Sequence, residues 1–439
     1  MNQRGPVAMR LRLSWLSYFA PMALPPMKII LASVALVCVS FQTLSQTPTP
    51  ARRVVIAASV ILDGKGNVIK NTRIVVEGAR IVAIDPKASP VDYDLRGLTV
   101  LPGWVDAHAH ITWSFGKDGK NAGAGEMSQD AAYRAAANAW ATLMAGFTTI
   151  QSVGSPTDLP LRDAIARGEL PGPRILTAVE PLLGRGEQTG TPDQIRAFIR
   201  KQKENGADVI KIFASQSIRQ GGGVTLSQEQ LNAACDEARK LGLRTLVHAY
   251  KDAVRAATLA GCTQIEHGTL ATDDDLKLMA DKGTYLDPQA GLVIENYLRN
   301  KQRYLGTPGY TEEGFAAMKK ILPLNHQLVQ RASKIPNLKI VFGTDAVAGS
   351  HGNNAEEFID RVRDGGVSPL AAMISANSLG AQALGLGEQI GTIATGFQAD
   401  IIALEGNPLT DITAVRRVLF VMKAGVVYKN TPRMLRGGE

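Results

Sequence analysis

The chain has 439 residues, 45% hydrophobic and 20% charged, which excludes a disordered polymer and leaves room for one large domain and a smaller one. Its formal charge of +8 is weighted to the start, where residues 1–46 hold Arg4, Arg10, Arg12 and Lys28 and no acid. The remainder has 44 basic against 40 acidic residues and no dense Lys/Arg run, which argues against nucleic acid as a partner.

Residues 1–46 read as a leader. Met27-Lys28 begins a short positive region, residues 29–39 form an apolar core of signal-peptide length, and Thr43-Leu44-Ser45 offers small residues for cleavage. Residues 1–26 extend the start beyond what such a signal needs. The core is short for a membrane span, so the expectation is a cleaved signal and a periplasmic or secreted protein without stable membrane insertion; an uncleaved anchor is the alternative. Val37 ahead of Cys38 makes a poor lipoprotein site. Cys235 and Cys262 then remain, on a helix and on a helix-to-strand turn. Two cysteines specify no disulfide framework, and both are read as small buried apolar residues.

From residue 52 the pattern is short strands at 54–62, 72–76 and 80–84, broken by the turn Asp63-Gly64-Lys65-Gly66. The same texture returns at 399–404 and in a hairpin over 421–427, so both chain ends are expected to build one small β-sandwich, residues 47–101 with 391–432. Residues 433–439 are a tail. Between the ends, apolar strands alternate with helical stretches, the signature of βα units around a parallel sheet. Strand ends fall near His110, Val153, Glu180, Ser215, Ala249, His267, Gln289 and Asp345. Ser128, Thr191 and Ser227 stand where helix N-caps are needed. Eight units over residues 102–390 predict a (β/α)₈ TIM barrel, whose chemistry belongs at the C-terminal ends of its strands.

Several polar residues that are odd for a buried strand fall at those ends. In Asp106-Ala107-His108-Ala109-His110 the two-residue period of a strand turns both histidines to one face, where they could hold a metal or simply pack. Lys211, in Asp208-Val209-Ile210-Lys211-Ile212, is costly inside a barrel unless paired, carried out to the rim or chemically altered. A desolvated amine can add CO₂ to give a carbamate, an anionic oxygen ligand able to bridge two cations. His248, His267 and Asp345 each close an otherwise apolar strand.

These stretches, with Gly146-Phe147-Thr148-Thr149, Gly172-Pro173-Arg174-Ile175, Ile265-Glu266-His267-Gly268, Gly343-Thr344-Asp345-Ala346 and Gly396-Phe397-Gln398-Ala399-Asp400-Ile401, resemble the amidohydrolase superfamily. Within it they resemble the imidazolonepropionase-like group of metal-dependent hydrolases, which includes Xaa-Pro and Xaa-Arg/Lys dipeptidases and ochratoxin-cleaving amidohydrolases. The resemblance spans residues 52–430. It implies a binuclear site of two divalent cations, zinc by default: His108, His110 and Asp345 on the more buried metal, His248 and His267 on the other, and carboxylated Lys211 bridging. It implies attack on an amide carbon by metal-activated hydroxide, with Asp345 moving the proton to the leaving amine.

Substrate contacts are expected from Tyr250, as a donor to the carbonyl or oxyanion, from Arg219, as a clamp on a carboxylate, and from His351, lining the pocket. His326 is read as solvated on a helix. The chain departs from the group after strand three, where Leu183-Gly184-Arg185-Gly186 replaces a Gly-Gly-His segment, and at Asp287-Pro288-Gln289, where Pro-Thr is common. The expected function is hydrolysis of small-molecule amides, either dipeptides or N-acyl amino acids. Cyclic amides or lactones are the alternative, and a non-catalytic binding barrel the remote one. A homo-oligomer is allowed, though no interface is legible.

Overall fold

Asp63 closes the first hairpin by accepting from the backbone N–H of Lys65 and of Asn67, at 2.8 and 2.9 Å. That turn pairs Arg53–Leu62 with Val68–Glu77 antiparallel, from Arg53 opposite Glu77 to Leu62 opposite Val68. The computed structural model describes residues 52–123 and 128–431, so the leader at 1–46 and the tail at 433–439 lie outside the described residues. Thr99–Pro102 runs parallel to Arg53–Leu62 on one side and antiparallel to Ile401–Leu404 on the other. Val418–Lys423 and Val426–Asn430 complete a single eight-stranded sheet drawn from both chain ends, where a β-sandwich was expected. One apolar cluster joins Ile56, Ile74, Val100, Ile401 and Phe420 across it.

Between them the strands are parallel, apart from a short antiparallel pair, Ser114–Phe115 with Asn121–Gly123. Trp104–Ala109, Phe147–Ser152 and Arg174–Thr177 form one sheet; Leu182–Leu183, Val209–Phe213, Arg244–Ala249, Gln264–His267, Tyr285–Asp287 and Lys339–Ile340 form another. Helices alternate with them, and Ser128, Thr191 and Ser227 cap the helices they were expected to start. Val209, Ile210, Ile212, Leu246 and Val247 are wholly buried, as strands covered on both faces must be. The third and last strands depart from expectation. Arg174–Thr177 stops short of Glu180, which is exposed, and regular strand at the eighth position covers only Lys339–Ile340. Beyond Ile340 the backbone instead bonds irregularly to the first parallel strand, Ala107 N–H to Phe342 O and Asp345 N–H to His108 O, at 2.8 and 2.7 Å.

The two cysteines correct the sequence reading. Cys235, on the helix Gln228–Lys240, and Cys262 are buried but bonded to each other as a disulfide, with Cα atoms 5.2 Å apart. Successive βα units set that helix beside the turn that follows Asp252–Leu259, a proximity across 27 residues that spacing alone does not specify.

Candidate metal centre

His108 lies at the end of Trp104–Ala109 and His110 just past it, and both point inward to one carboxylate oxygen. Asp345 Oδ1 is 3.3 Å from His108 Nε2 and 3.1 Å from His110 Nε2. Lys211 Nζ, on Val209–Phe213, is 3.5 Å from the same His108 nitrogen. From the next two strands, His248 Nδ1 and His267 Nε2 lie 2.9 Å apart, and the His267 ring sits 5.6 Å from that of His108. All six residues line one cleft of about 100 Å³, with Tyr250 and Arg219 at its walls. His267 and Asp345 hold left-handed backbone, φ 64° and 51°, which non-glycine residues adopt at a cost and which gathers at functional sites.

Electrostatics suit the same purpose. Burial pushes the His108 and His248 imidazolium groups down to about 3 and lowers those of His110 and His267, so all four rings are neutral at ordinary pH. Burial alone would raise the Asp345 carboxyl, but His108 and His110 beside it hold it well below the usual range. Lys211 is fully buried and forms no ion pair among the described residues, and desolvation lowers its ammonium. Neutral imidazoles, a carboxylate and a desolvated amine gathered this closely are the donor types that bind a divalent cation. His108, His110 and Asp345 bring ligand atoms within 4.8 Å of one another, so the donor set fits a metal.

Residues 99–428 match the sequence profile of the amidohydrolase family. The chain belongs to that family. Ochratoxinase of Aspergillus niger is 25% identical over 433 residues, spanning 86% of this chain and 87% of that protein. Among solved structures, a Xaa-Pro dipeptidase with methionine bound in its active site is 29% identical with a TM-score of 0.77, covering 86% of this chain and all of that one. A prolidase complexed with N-methylphosphonate-L-proline is 26% identical, again at 0.77, covering 87% of this chain and all of its own. This amidohydrolase is therefore a metal-dependent hydrolase acting on amide bonds.

Around the six residues the amidohydrolase carries a buried polar shell to which the sequence reading gave no role. Glu266 contacts His108 Nδ1, leaving Nε2 to face the cleft. Asp287 touches that carboxylate and pairs with Arg361, whose Nη2 is 3.2 Å from Asp287 Oδ1 and whose Nε donates to Glu357 at 2.9 Å. Burial raises the Glu266 carboxyl to about 7 and Asp287 well above its usual value. Asp106 accepts from Thr344 Oγ1 and Asn354 Nδ2, at 2.6 and 2.8 Å, clamping the strand that bears His108 to the segment that bears Asp345. Asp106 shares strand parity with His108 and His110, a signal that could have found it.

Tyr250 and Arg219 reach the cleft, whereas His351 does not line it. His351 Nε2 donates to the Trp113 carbonyl at 3.1 Å, and its ring faces a separate hollow; Trp113 in turn lies against His110, ring centres 4.1 Å apart. The glycine-flanked loop after Asp345 carries His351 behind the wall. His326 is also corrected: it is partly buried on Glu312–Ala332, its Nε2 sealed from solvent rather than solvated.

Proposed function

We propose that this amidohydrolase holds two divalent cations, zinc by default, and cleaves the amide bond of dipeptides or N-acyl amino acids. One observation carries the reading: His108, His110 and Asp345 converge at one point, His248 and His267 at another, with Lys211 beside the first and all six in one cleft. When bound, the cations supply Lewis acidity, polarising the scissile carbonyl and making a water acidic enough to give up a proton near neutral pH. Asp345 takes that proton and delivers it to the departing amine. Tyr250, stacked on His267 with ring centres 5.1 Å apart, donates its hydroxyl to the carbonyl oxygen as charge develops there. Lys211 acts as its carbamate. Its neutral amine forms a bond to the carbon of CO₂ and loses a proton, and the resulting anion answers the burial that an ammonium would oppose.

The two parallel sheets are arcs of one (β/α)₈ barrel over 102–390, supported at one seam by Asp208 N–H donating to Thr177 O at 2.8 Å and at the other by Asp345 N–H on His108 O. Export through the leader agrees with the disulfide, which suits an oxidising compartment.

Metal analysis with hydrolysis assays on Xaa-Pro, Xaa-Arg and N-acyl amino acid panels tests the function. Two metal equivalents per chain and turnover of these amides are expected. A preparation that is inert after zinc and bicarbonate are added overturns the reading.

A further inference from the structure

Asp360 is a sunken carboxyl group that lies outside the metal centre. It sits on the helix Glu356–Arg363, is 8% exposed, and its Oδ2 is sealed from solvent with no hydrogen-bond partner. That oxygen is aimed at the start of the helix Leu292–Arg299, against Gly291, where a β-carbon would come within 2.6 Å of it. Glu295 stands one turn further along the same helix, its N–H on the Gly291 carbonyl at 3.0 Å. Asp364 stands one turn beyond Asp360, its N–H on the Asp360 carbonyl at 2.9 Å. Burial, with the charges of Glu357, Glu295, Asp364 and Glu356 around it, raises the Asp360 carboxyl to about 8.

The acids along this seam are not treated alike. Glu356 pairs with Arg416, and Glu357 is filled by Arg361 and by the N–H groups of Ala290, Gly291 and Leu292. Glu295, Asp360 and Asp364 have neither an ion pair nor a side-chain hydrogen bond among the described residues. Like charges a helical turn apart repel, and a buried carboxylate without a partner costs more still. Oxygen donors alone, one sunken and two on more open positions that let them swing inward, make a set for a hard cation. The three do not gather as tightly as His108, His110 and Asp345 do. Calcium suits that spread, since it takes six to eight oxygens at about 2.3–2.6 Å in flexible geometry and lets waters complete the shell, whereas magnesium demands a near-ideal octahedron.

We propose that Glu295, Asp360 and Asp364 form a calcium site, separate from the catalytic metal centre, that fastens the helix Leu292–Arg299 to the helix Glu356–Arg363. The first of these helices supplies Val293, Ile294 and Tyr297 to the wall of the cleft, so calcium bound at the seam holds that wall in place. The site stands whichever amide the enzyme cleaves.

The test titrates calcium chloride into the zinc-loaded enzyme. Calorimetry should find one calcium per chain, with a Kd of about 10⁻⁴–10⁻³ M, the range of extracellular modules. Calcium should raise the melting temperature beyond the effect of sodium chloride at equal ionic strength, and it should slow amide exchange over residues 290–299. Asp360→Asn should weaken calcium binding at least tenfold and erase both effects while the zinc content stays that of the unmodified enzyme. Glu295→Gln and Asp364→Asn, at the more open positions, should each weaken binding severalfold and decide the matter if Asp360→Asn fails to fold. No calcium binding, or equal responses to calcium and sodium, in the unmodified enzyme overturns the proposal without any variant. Calcium affinity unchanged in Asp360→Asn, or in both of the other variants, overturns it as well. So does zinc release that matches calcium uptake, because the calcium would then be entering the catalytic centre.

Discussion

His108 has both ring nitrogens committed, Nδ1 to Glu266 and Nε2 to the cleft. An imidazole fixed in this way presents one lone pair in one direction, and losing the fixing group costs about 10- to 100-fold in metal affinity. Glu266→Gln is therefore expected to weaken zinc binding by that factor, measured by chelator competition; unchanged affinity would show that Glu266 does not orient the ring. Lys211→Ala should lower the metal content from two equivalents toward one and remove most activity, and unchanged content would refute the bridge. His351 gives a pH test. Burial lowers its imidazolium from 6.5 to about 4, so the unfolded chain binds a proton in that window that the folded chain refuses. Its share of stability is complete above pH 6.5 and is lost as pH falls toward 4. Melting curves should show a shallower acid-side decline in His351→Gln, which keeps a donor for Trp113. The six candidate metal residues stood out in the sequence because a strand alternates sides and buried strands seldom end in charge. The role of Glu266 was not, since it depends on a ring from another strand 158 positions away in the chain.

At the level of elements, helix starts were legible because a cap is a local event: Thr191 and Ser227 each exchange hydrogen bonds with a glutamine three residues on. Contacts between elements were not. The helix Glu356–Arg363 uses Glu357 to receive the N–H groups of Ala290, Gly291 and Leu292, while its Arg361 donates to Val341 O at 2.6 Å, tying the seventh strand's exit to the eighth. The Cys235–Cys262 bond ties neighbouring βα units in the same manner. In the chain-entropy account, closing a loop of 27 residues stabilises the fold by about 3.5 kcal/mol. The double variant Cys235→Ser, Cys262→Ser should lose roughly that amount in chemical denaturation, and a reducing agent should lower the midpoint of the unmodified protein but leave the variant unmoved.

For the whole molecule, the proposed metal residues come from five places along both parallel sheets, so a cation bound only by the folded chain would stabilise all of it. Free zinc at a hundred times its dissociation constant is expected to add about 2.7 kcal/mol, and stripping with a chelator should lower the melting temperature accordingly. A melting temperature indifferent to metal would mean that the cleft does not bind it. The alternation of strand and helix and the return of strand texture at the C-terminus were legible because both are patterns of period and composition. The exact pairing was not, because it joins segments far apart in sequence. That pairing has a temporal side. Thr99–Pro102 has Ile401–Leu404 as its neighbour, about 300 residues downstream. At ribosomal rates of about 5–20 residues per second its open edge waits roughly 15–60 s for a partner. The sheet is therefore finished only once nearly the whole chain has been made, so a nascent chain threaded through a membrane channel would have no completed fold to undo.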